Sequence, residues 1–496
     1  MYFTTKLLLL PILGAFISSA AFTGIAHADL LSETSRLLHH GNPVMNAIDL
    51  DQMGLSASST EVQPWGSSYW PDGIGGIATR YGTHGIAVAS IGTVLSYPFS
   101  RAQWKNRNAS MRARAQTLSE DDIAQNLAPS EKYDLLMGDL DFRLTNNIIE
   151  EIDYRYHHKI DTNGNWIEKD GMVSWVGICD GWTSASLHTP RPVKTIKVKG
   201  ATGQIITFYP DDLKALASHL FARTNQWLGV ERVGNRCAGS GAPVDQFGRP
   251  SGVGCNDIEA SLWHTTVLNR IGIDRRGFII DQENDFRVGN HPVYSYETIY
   301  FNPNSGVTGT LLSTAIPISQ VDDGLQPLRH PEATLLVGVK MKIHMLDYIW
   351  PTGKATDSES NDKTKDQTYI YDLEMTSDGT IVGGQWHRNR KKFLFFGSDI
   401  EAQPDMMWML APNQLAWSFD SAKADEGPIL DPTNPMIWSN IAWKFKGDGN
   451  IPVDWFNVNR EDATYFKWPE AHPYSMIQSA HPLAEMVYYL MDQAKQ

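Results

Sequence analysis

Cysteine is scarce, with three in 496 residues, too few for a small disulfide scaffold. Positive charge is in deficit: 42 Lys+Arg stand against 56 Asp+Glu, a formal charge of -14. The basic residues are scattered, so no stripe is ready to neutralise phosphates, and nucleic acid is excluded as an expected partner. Internal repeats are absent. Beyond residue 28 no segment reaches the roughly 18 uncharged apolar residues that would suggest a membrane-spanning helix. What remains is a chain that is 42% hydrophobic and 10% aromatic, enough for packed cores and long enough for two or more units.

Residues 1–28 carry one charge, Lys6, then an apolar stretch from Leu7 to Ile17 and small residues ending in Ala26-His27-Ala28. This reads as a signal peptide with an A-x-A cleavage site; the apolar run is too short for a membrane anchor. A mature chain without a transmembrane segment, secreted or periplasmic, is expected. In an oxidising compartment Cys237 and Cys255, which enclose a Gly/Pro/Ser-rich stretch, can meet as a disulfide. Cys179 is then left alone, either buried and inert or reactive.

The first half reads as helical. Ser119, with Asp122 three residues on, opens a helix to Leu127; Ser130 starts another to Leu136; Asp211–Arg223 places Leu213, Leu216, Leu220 and Phe221 on one face. From about residue 334 the period changes. Val337, Val339, Met341, Ile343 and Met345 alternate with Lys340, Lys342 and His344, and a second strand, Thr368–Met375, turns at Asp378-Gly379 and returns through Ile381. Between them the charged stretch Lys354–Gln367 reads as a mobile loop.

The chemistry gathers around Cys179, in Trp175-Val176-Gly177-Ile178-Cys179-Asp180-Gly181-Trp182. The residues after it have helical spacing, so Cys179 stands at a helix N-terminus, where the dipole favours a thiolate. A nucleophile needs a base and the base an orienting partner. His188 is about 13 Å along the same helix, out of reach, and reads as a surface residue. Leu262–Leu268 and Gly277–Asp281 read as two strands of a hairpin turning near Gly272. That register opposes His264 and Asp281, with Cβ atoms roughly 5 Å apart, and a carboxylate on one imidazole nitrogen leaves the other for the thiol.

The order Cys, His, Asp resembles transglutaminase cores, and more specifically the secreted transglutaminases known as oomycete elicitors and their bacterial relatives. The marks are Pro64-Trp65 with Tyr69-Trp70-Pro71, Ser130-Glu131-Lys132-Tyr133-Asp134, the segment around Cys179, and Val288-Gly289-Asn290-His291-Pro292-Val293, similar to the family's V-W-N-Q-P-V surface motif. Gly383-Gly384-Gln385-Trp386 and Pro404-Asp405 before Trp408 complete the order. Gly289 and His291 replace Trp and Gln of that motif, so recognition by plant receptors does not carry over, and His291 becomes the second candidate base.

The resemblance implies an α+β fold: signal peptide 1–28, an N-terminal helical or extended segment 29–130, a papain-like catalytic core 131–325 and a β-rich C-terminal lobe 326–496. It implies a protein-glutamine gamma-glutamyltransferase with Cys179 as nucleophile, His264 as base and acid, and Asp281 as orienting carboxylate. The Cys179 N–H, with Trp175 as a further candidate, would hold the oxyanion. Its partners would be proteins or peptides bearing glutamine and lysine, or small primary amines, with Trp175, Trp182 and Trp263 walling the thioester from water. The rival readings are a papain-like cysteine peptidase or deamidase with water as acceptor, and a non-catalytic surface-binding protein on the same scaffold. The aromatic residues Trp386, Trp408, Trp417 and Trp438 serve either that binding or the core, and the sequence leaves open whether a propeptide, for example residues 29–60, masks the site.

No cofactor or metal is implied. Asp161-Thr162-Asn163-Gly164-Asn165 opens like a calcium loop, but Trp166 holds the sixth position and Met172 the twelfth, so it reads as a polar turn. His157 and His158 are adjacent and cannot share one metal-facing side of a regular element; Asn108-Ala109-Ser110 matches a glycosylation acceptor. The pairing of Cys237 with Cys255 gives the first test. Thiol counting on the denatured, unreduced protein is expected to find one free group; three or none would reject the bridge.

Overall fold

The computed structural model describes residues 27–38, 42–81, 109–110, 113–160, 166–168, 175–228, 230–235, 258–281, 288–321, 323–387, 403–410, 466–467, 478–479, 482 and 484–495. Most of the signal segment, Cys237, Cys255, the turn at 161–165, Asn108, Trp417 and Trp438 lie outside these residues. Among the described residues no helix is long and apolar enough to cross a membrane.

Helices and a large antiparallel sheet make up the fold. The helices are α1 (His27–Arg36), α2 (Ala47–Gln52), α3 (Glu120–Asn126), α4 (Pro129–Met137), α5 (Arg143–His157), α6 (Cys179–His188), α7 (Pro210–Leu228), α8 (Ala260–Val267) and α9 (Ala484–Ala494). The strands of that sheet are β1 (Ala57–Ser59), β2 (Val230–Gly234), β3 (Phe278–Asp281), β4 (Asn290–Phe301), β5 (Thr308–Gly309), β6 (Ile316–Pro317), β7 (Leu335–Asp347), β8 (Lys363–Met375), β9 (Ile381–Trp386) and β10 (Met406–Leu410). Their order is β9-β8-β7-β4-β3-β10-β2, with β1 and β5 on β4 and β6 on β7.

Each face of the sheet buries its own apolar cluster. On β7, Val337, Val339, Met341, Ile343 and Met345 enter one cluster with α1 and α8, while Leu346 enters the other with α4, α6 and α7. On β3, Phe278 and Ile280 face the α8 side, so alternation turns Ile279 and Asp281 toward α6. The anticipated helices at 120–126, 129–137 and 210–228 form, and Ser119 closes a capping box with Asp122. The alternating strand and the hairpin at Asp378-Gly379 also form, Gly379 supplying a φ of +90°.

Three expectations change. Strands β7–β9 extend the sheet that holds β3 and β4, β7 pairing with β4 from Gly338 to Met345, so the boundary at 325/326 divides one sheet. Leu262–Val267 is a helix, not a strand. Trp263, Val267 and Ile271 recur every four residues in one core, and the Glu259 carboxylate caps the helix through the Leu262 N–H at 2.9 Å, a packing demand that overrides the β-branched run. Within the segment left open as a propeptide, Leu30, Leu37, Ala47 and Leu50 are buried in the cluster on the α8 side. The charged stretch 354–367 is anchored: Asp357 and Asp362 pair with Arg191, and Asp357 also with Lys214, so these two acids are buried partners, and from Lys363 the chain is strand β8.

Helix α4 shows why a charged motif can lie inside. Ser130 through Asp134 are all buried. Lys132 pairs with Asp212 at 2.5 Å, and Asp134 accepts from the Leu144 and Thr145 backbone N–H groups and the Thr145 hydroxyl.

Helix α6 packs backbone to backbone on α7. A Cβ on Gly181 would lie 2.0 Å from the Ser218 carbonyl oxygen, a contact that only backbone movement relieves. Gly181→Ala is therefore expected to lower stability by about 3 kcal/mol, the upper end for overpacking, measured by urea denaturation; an unchanged midpoint would contradict this packing.

Candidate active site at Cys179

The chain segment 65–72 crosses the start of α6. The Ile178 N–H donates to the Tyr69 carbonyl at 2.8 Å, and the Asp72 N–H to the Val176 carbonyl at 3.0 Å. Gly177 is required there, because a Cβ would lie 2.2 Å from the Tyr69 carbonyl oxygen. Trp182 donates through Nε1 to the Trp65 carbonyl at 3.0 Å, fixing the first turn. Cys179 is thus the first residue of α6, a free thiol with 9% exposure.

The sheet supplies the groups facing it. Asn290, the first residue of β4, donates from Nδ2 to Cys179 Sγ at 3.4 Å and accepts at Oδ1 from Trp408 Nε1 at 2.9 Å. The Val288 carbonyl lies 3.9 Å from Sγ. Asp281 pairs in register with Asn290, and its Oδ1 accepts from the Gly289 N–H at 3.1 Å. Tyr348 donates to the Asn290 carbonyl at 3.1 Å, and its ring lies 5.1, 5.2 and 4.9 Å from the rings of Tyr69, Trp182 and His291. The Val288–Val293 segment, expected at the surface, has Asn290 and His291 buried on the thiol's side and Val293 buried in the opposite cluster.

Electrostatics hold the thiol protonated. Burial, with Asp180 and Asp281 adding negative charge, pushes Cys179 up to about 11, against hydrogen bonds from the Asn290 backbone and side chain that favour the thiolate. The helix dipole favours the thiolate, and here it is outweighed. The same burial raises Tyr69 and Tyr348, with the thiol as a further cause.

The three residues expected as a triad separate. Cys179 and Asp281 share a face of the sheet. His264 lies on α8 in the opposite cluster, its Nδ1 2.8 Å from the Tyr371 hydroxyl and its ring beside Tyr300 and Tyr371. Burial alone depresses it to about 3. The assignment fails because the supposed hairpin is helix α8 followed by β3, so no register opposes His264 to Asp281.

His291, the second candidate, comes to the site. Its Nδ1 meets the Leu346 carbonyl at 2.9 Å and therefore donates there. Nε2 and Asp281 Oδ1 lie 3.9 and 4.0 Å from where a Gly289 Cβ would stand. His188 is half-buried rather than a surface residue, stacked on Phe221, with Nδ1 on the Ser184 carbonyl.

Of the expected aromatic walls, Trp182 is in place, Trp175 is half-buried four residues before the thiol, and Trp263 belongs to the other face against Phe278, Tyr369 and Trp386. Spacing gave no signal for Asn290, Tyr348 or Tyr69 as neighbours of Cys179; the quoted motifs held Asn290 and Tyr69 without assigning them this role. Among the described residues no group of three or more His, Cys, Asp or Glu could hold a metal ion.

These features define an α+β protein built around one buried, helix-seated thiol with an amide and a carboxylate across from it. The transglutaminase elicitor family model matches residues 165–413, a span that includes Cys179, Asp281, Asn290 and Trp408, and the chain belongs to that family. Among solved structures it is similar to the crystal structure of the GP42 transglutaminase from Phytophthora sojae, with 16% identity, a TM-score of 0.47, and coverage of 77% of this chain and 90% of that one. No curated protein matches significantly.

The electrostatics predict how the thiol titrates. Alkylation of Cys179 by iodoacetamide is expected to rise through pH 8–10 toward a midpoint near the value of about 11, because only the thiolate reacts. A midpoint below pH 8 would show that a cation, not carboxylates, governs the thiol.

Proposed function

We propose that this chain is a secreted protein-glutamine gamma-glutamyltransferase working through a Cys179 thioester, on a papain-like core shared with bacterial relatives of the elicitors. The observation that carries the reading is Cys179 Sγ at a helix N-terminus, bonded by the Asn290 amide and facing the Asp281 side of β3. Membership of the transglutaminase elicitor family supports it. The signal segment, and the Cys237–Cys255 bridge that export would allow, belong to the same proposal.

In the proposed first step the thiol proton passes to Asp281 as sulfur bonds to the glutamine carboxamide carbon. Moving a proton from thiol to carboxylate keeps one negative charge in the site, so the repulsion that raises the thiol is not added to the barrier. The tetrahedral oxyanion meets the Cys179 N–H, one of the first-turn donors without an intrahelical acceptor; Trp175 is the candidate second donor. Asp281 returns the proton to nitrogen, the C–N bond breaks, and ammonia leaves a thioester. His291 in its neutral form, sharing the surroundings of Gly289 with Asp281, is the second station for the proton. A lysine or small amine then attacks the thioester, gives up a proton along the same path, and the sulfur leaves and is reprotonated. Tyr69, Trp182 and Tyr348 shield the thioester from water, which favours amine over hydrolysis.

Mass spectrometry of a glutamine-rich substrate protein with a primary amine tests the reading. Amine incorporation is expected, lost in Cys179→Ala and lowered at least about a hundredfold in Asp281→Asn and His291→Ala, the scale of a general acid-base contribution. His264→Phe is expected to keep kcat while changing stability. Cleaved backbones would favour the peptidase, glutamate without amine a deamidase, and untouched substrate the binding protein.

A further inference from the structure

Asn290 reaches Cys179 with an amide, and an amide can point either way. Its nitrogen donates and its oxygen only accepts, and at ordinary precision the two are told apart by what surrounds them. Trp408 decides the matter here. An indole N–H is a donor and never an acceptor, so Trp408 Nε1, 2.9 Å from the Asn290 amide, requires Oδ1 on its own side. Nδ2 is thereby turned to the sulfur, 3.4 Å away. With the amide reversed, Oδ1 would face the thiolate lone pairs and repel them.

The placement of Trp408 follows from the sheet. β10 lies against β3, and Trp408 pairs with Ile279, two residues from Asp281 and on the same face. Its neighbour Met407 pairs with Ile280 and enters the opposite core. Trp408 is 6% exposed and Asn290 3%, so water does not compete for either bond. Among the described residues, Trp408 is the donor to Asn290 Oδ1.

We propose that Trp408 is a positioning residue: its indole N–H locks the Asn290 amide so that it donates to Cys179 Sγ, setting how readily the thiol ionises. This rests on Cys179 being the nucleophile, deepening the reading above. Trp408 touches neither sulfur nor substrate and acts only through Asn290. The ionisable groups sharing the thiol's surroundings are Asp180 on α6, Asp281 on β3, Tyr69, Tyr348 and His291. The Trp408 substitution leaves all of them in place, and the Asn290 backbone N–H with them.

The test follows the pH profile of Cys179 alkylation in the full chain, a reaction that needs neither glutamine nor amine. Trp408→Phe keeps an aromatic ring and removes the donor; it is expected to move the profile to higher pH and slow alkylation at pH 8 about three- to tenfold, a shift of roughly half to one unit. In an Asn290→Ala background the same substitution is expected to change nothing, whereas a role in packing alone would act equally in both. An unmoved profile in the single variant, or an equal shift with Asn290 absent, overturns the proposal. Should Trp408→Phe not fold, Trp408→His, which keeps a ring N–H, is expected to hold the profile near wild type, and a shift as large as that of Asn290→Ala overturns it. If alkylation responds as expected but no amine is ever incorporated by the wild-type chain, the positioning role stands and the transferase reading falls.

Discussion

Two glycines set how closely the backbone can approach the reactive thiol, and the site depends on that closeness. Gly177 lets the chain lie against the Tyr69 carbonyl, and Gly181 lets α6 lie against the Ser218 carbonyl on α7. Between them, the first turn of α6 is held by the Ile178-to-Tyr69 and Trp182-to-Trp65 hydrogen bonds. Cys179 therefore sits on backbone that cannot slide, and its sulfur meets the edge of β3 and β4 where Asp281 and Asn290 pair. A side chain on either glycine would displace the nucleophile itself.

Seating a thiol this deeply has an electrostatic consequence. Burial and two carboxylates favour the neutral form, while one asparagine contributes the opposing hydrogen bonds. These influences hold the thiol in its neutral form, with Asp180 and Asp281 as the carboxylates that act on it. In the proposed reaction a bound substrate lets proton transfer and bond formation proceed together.

Much of this was legible in the sequence where local periodicity speaks. The strand 337–345, the hairpin at Asp378-Gly379, the capped helix after Ser119 and the helix starting at Cys179 all rest on spacing that their own residues carry. The failure at His264 came from Thr265, Thr266 and Val267, whose β-branched character suggested a strand, while Trp263, Val267 and Ile271 at four-residue spacing were committed to one core. Reading the segment as helix would have removed the opposed His264–Asp281 pair and left His291 as the candidate base. Asn290 and Trp408 were invisible as a pair, because their bond joins residues 118 apart and no local pattern reports it. The charged stretch 354–367 misled for a related reason: two of its acids, Asp357 and Asp362, meet Arg191 and Lys214 from far along the chain.

The central claim is that Cys179 forms a thioester with a glutamine side chain. Incubating the protein with a glutamine peptide in the absence of amine, quenching in acid and measuring the intact mass tests it directly. The account predicts a mass increase of one peptide less one ammonia, mapped to Cys179 and released by added amine. A protein of unchanged mass under conditions where Cys179 is alkylated readily would contradict it.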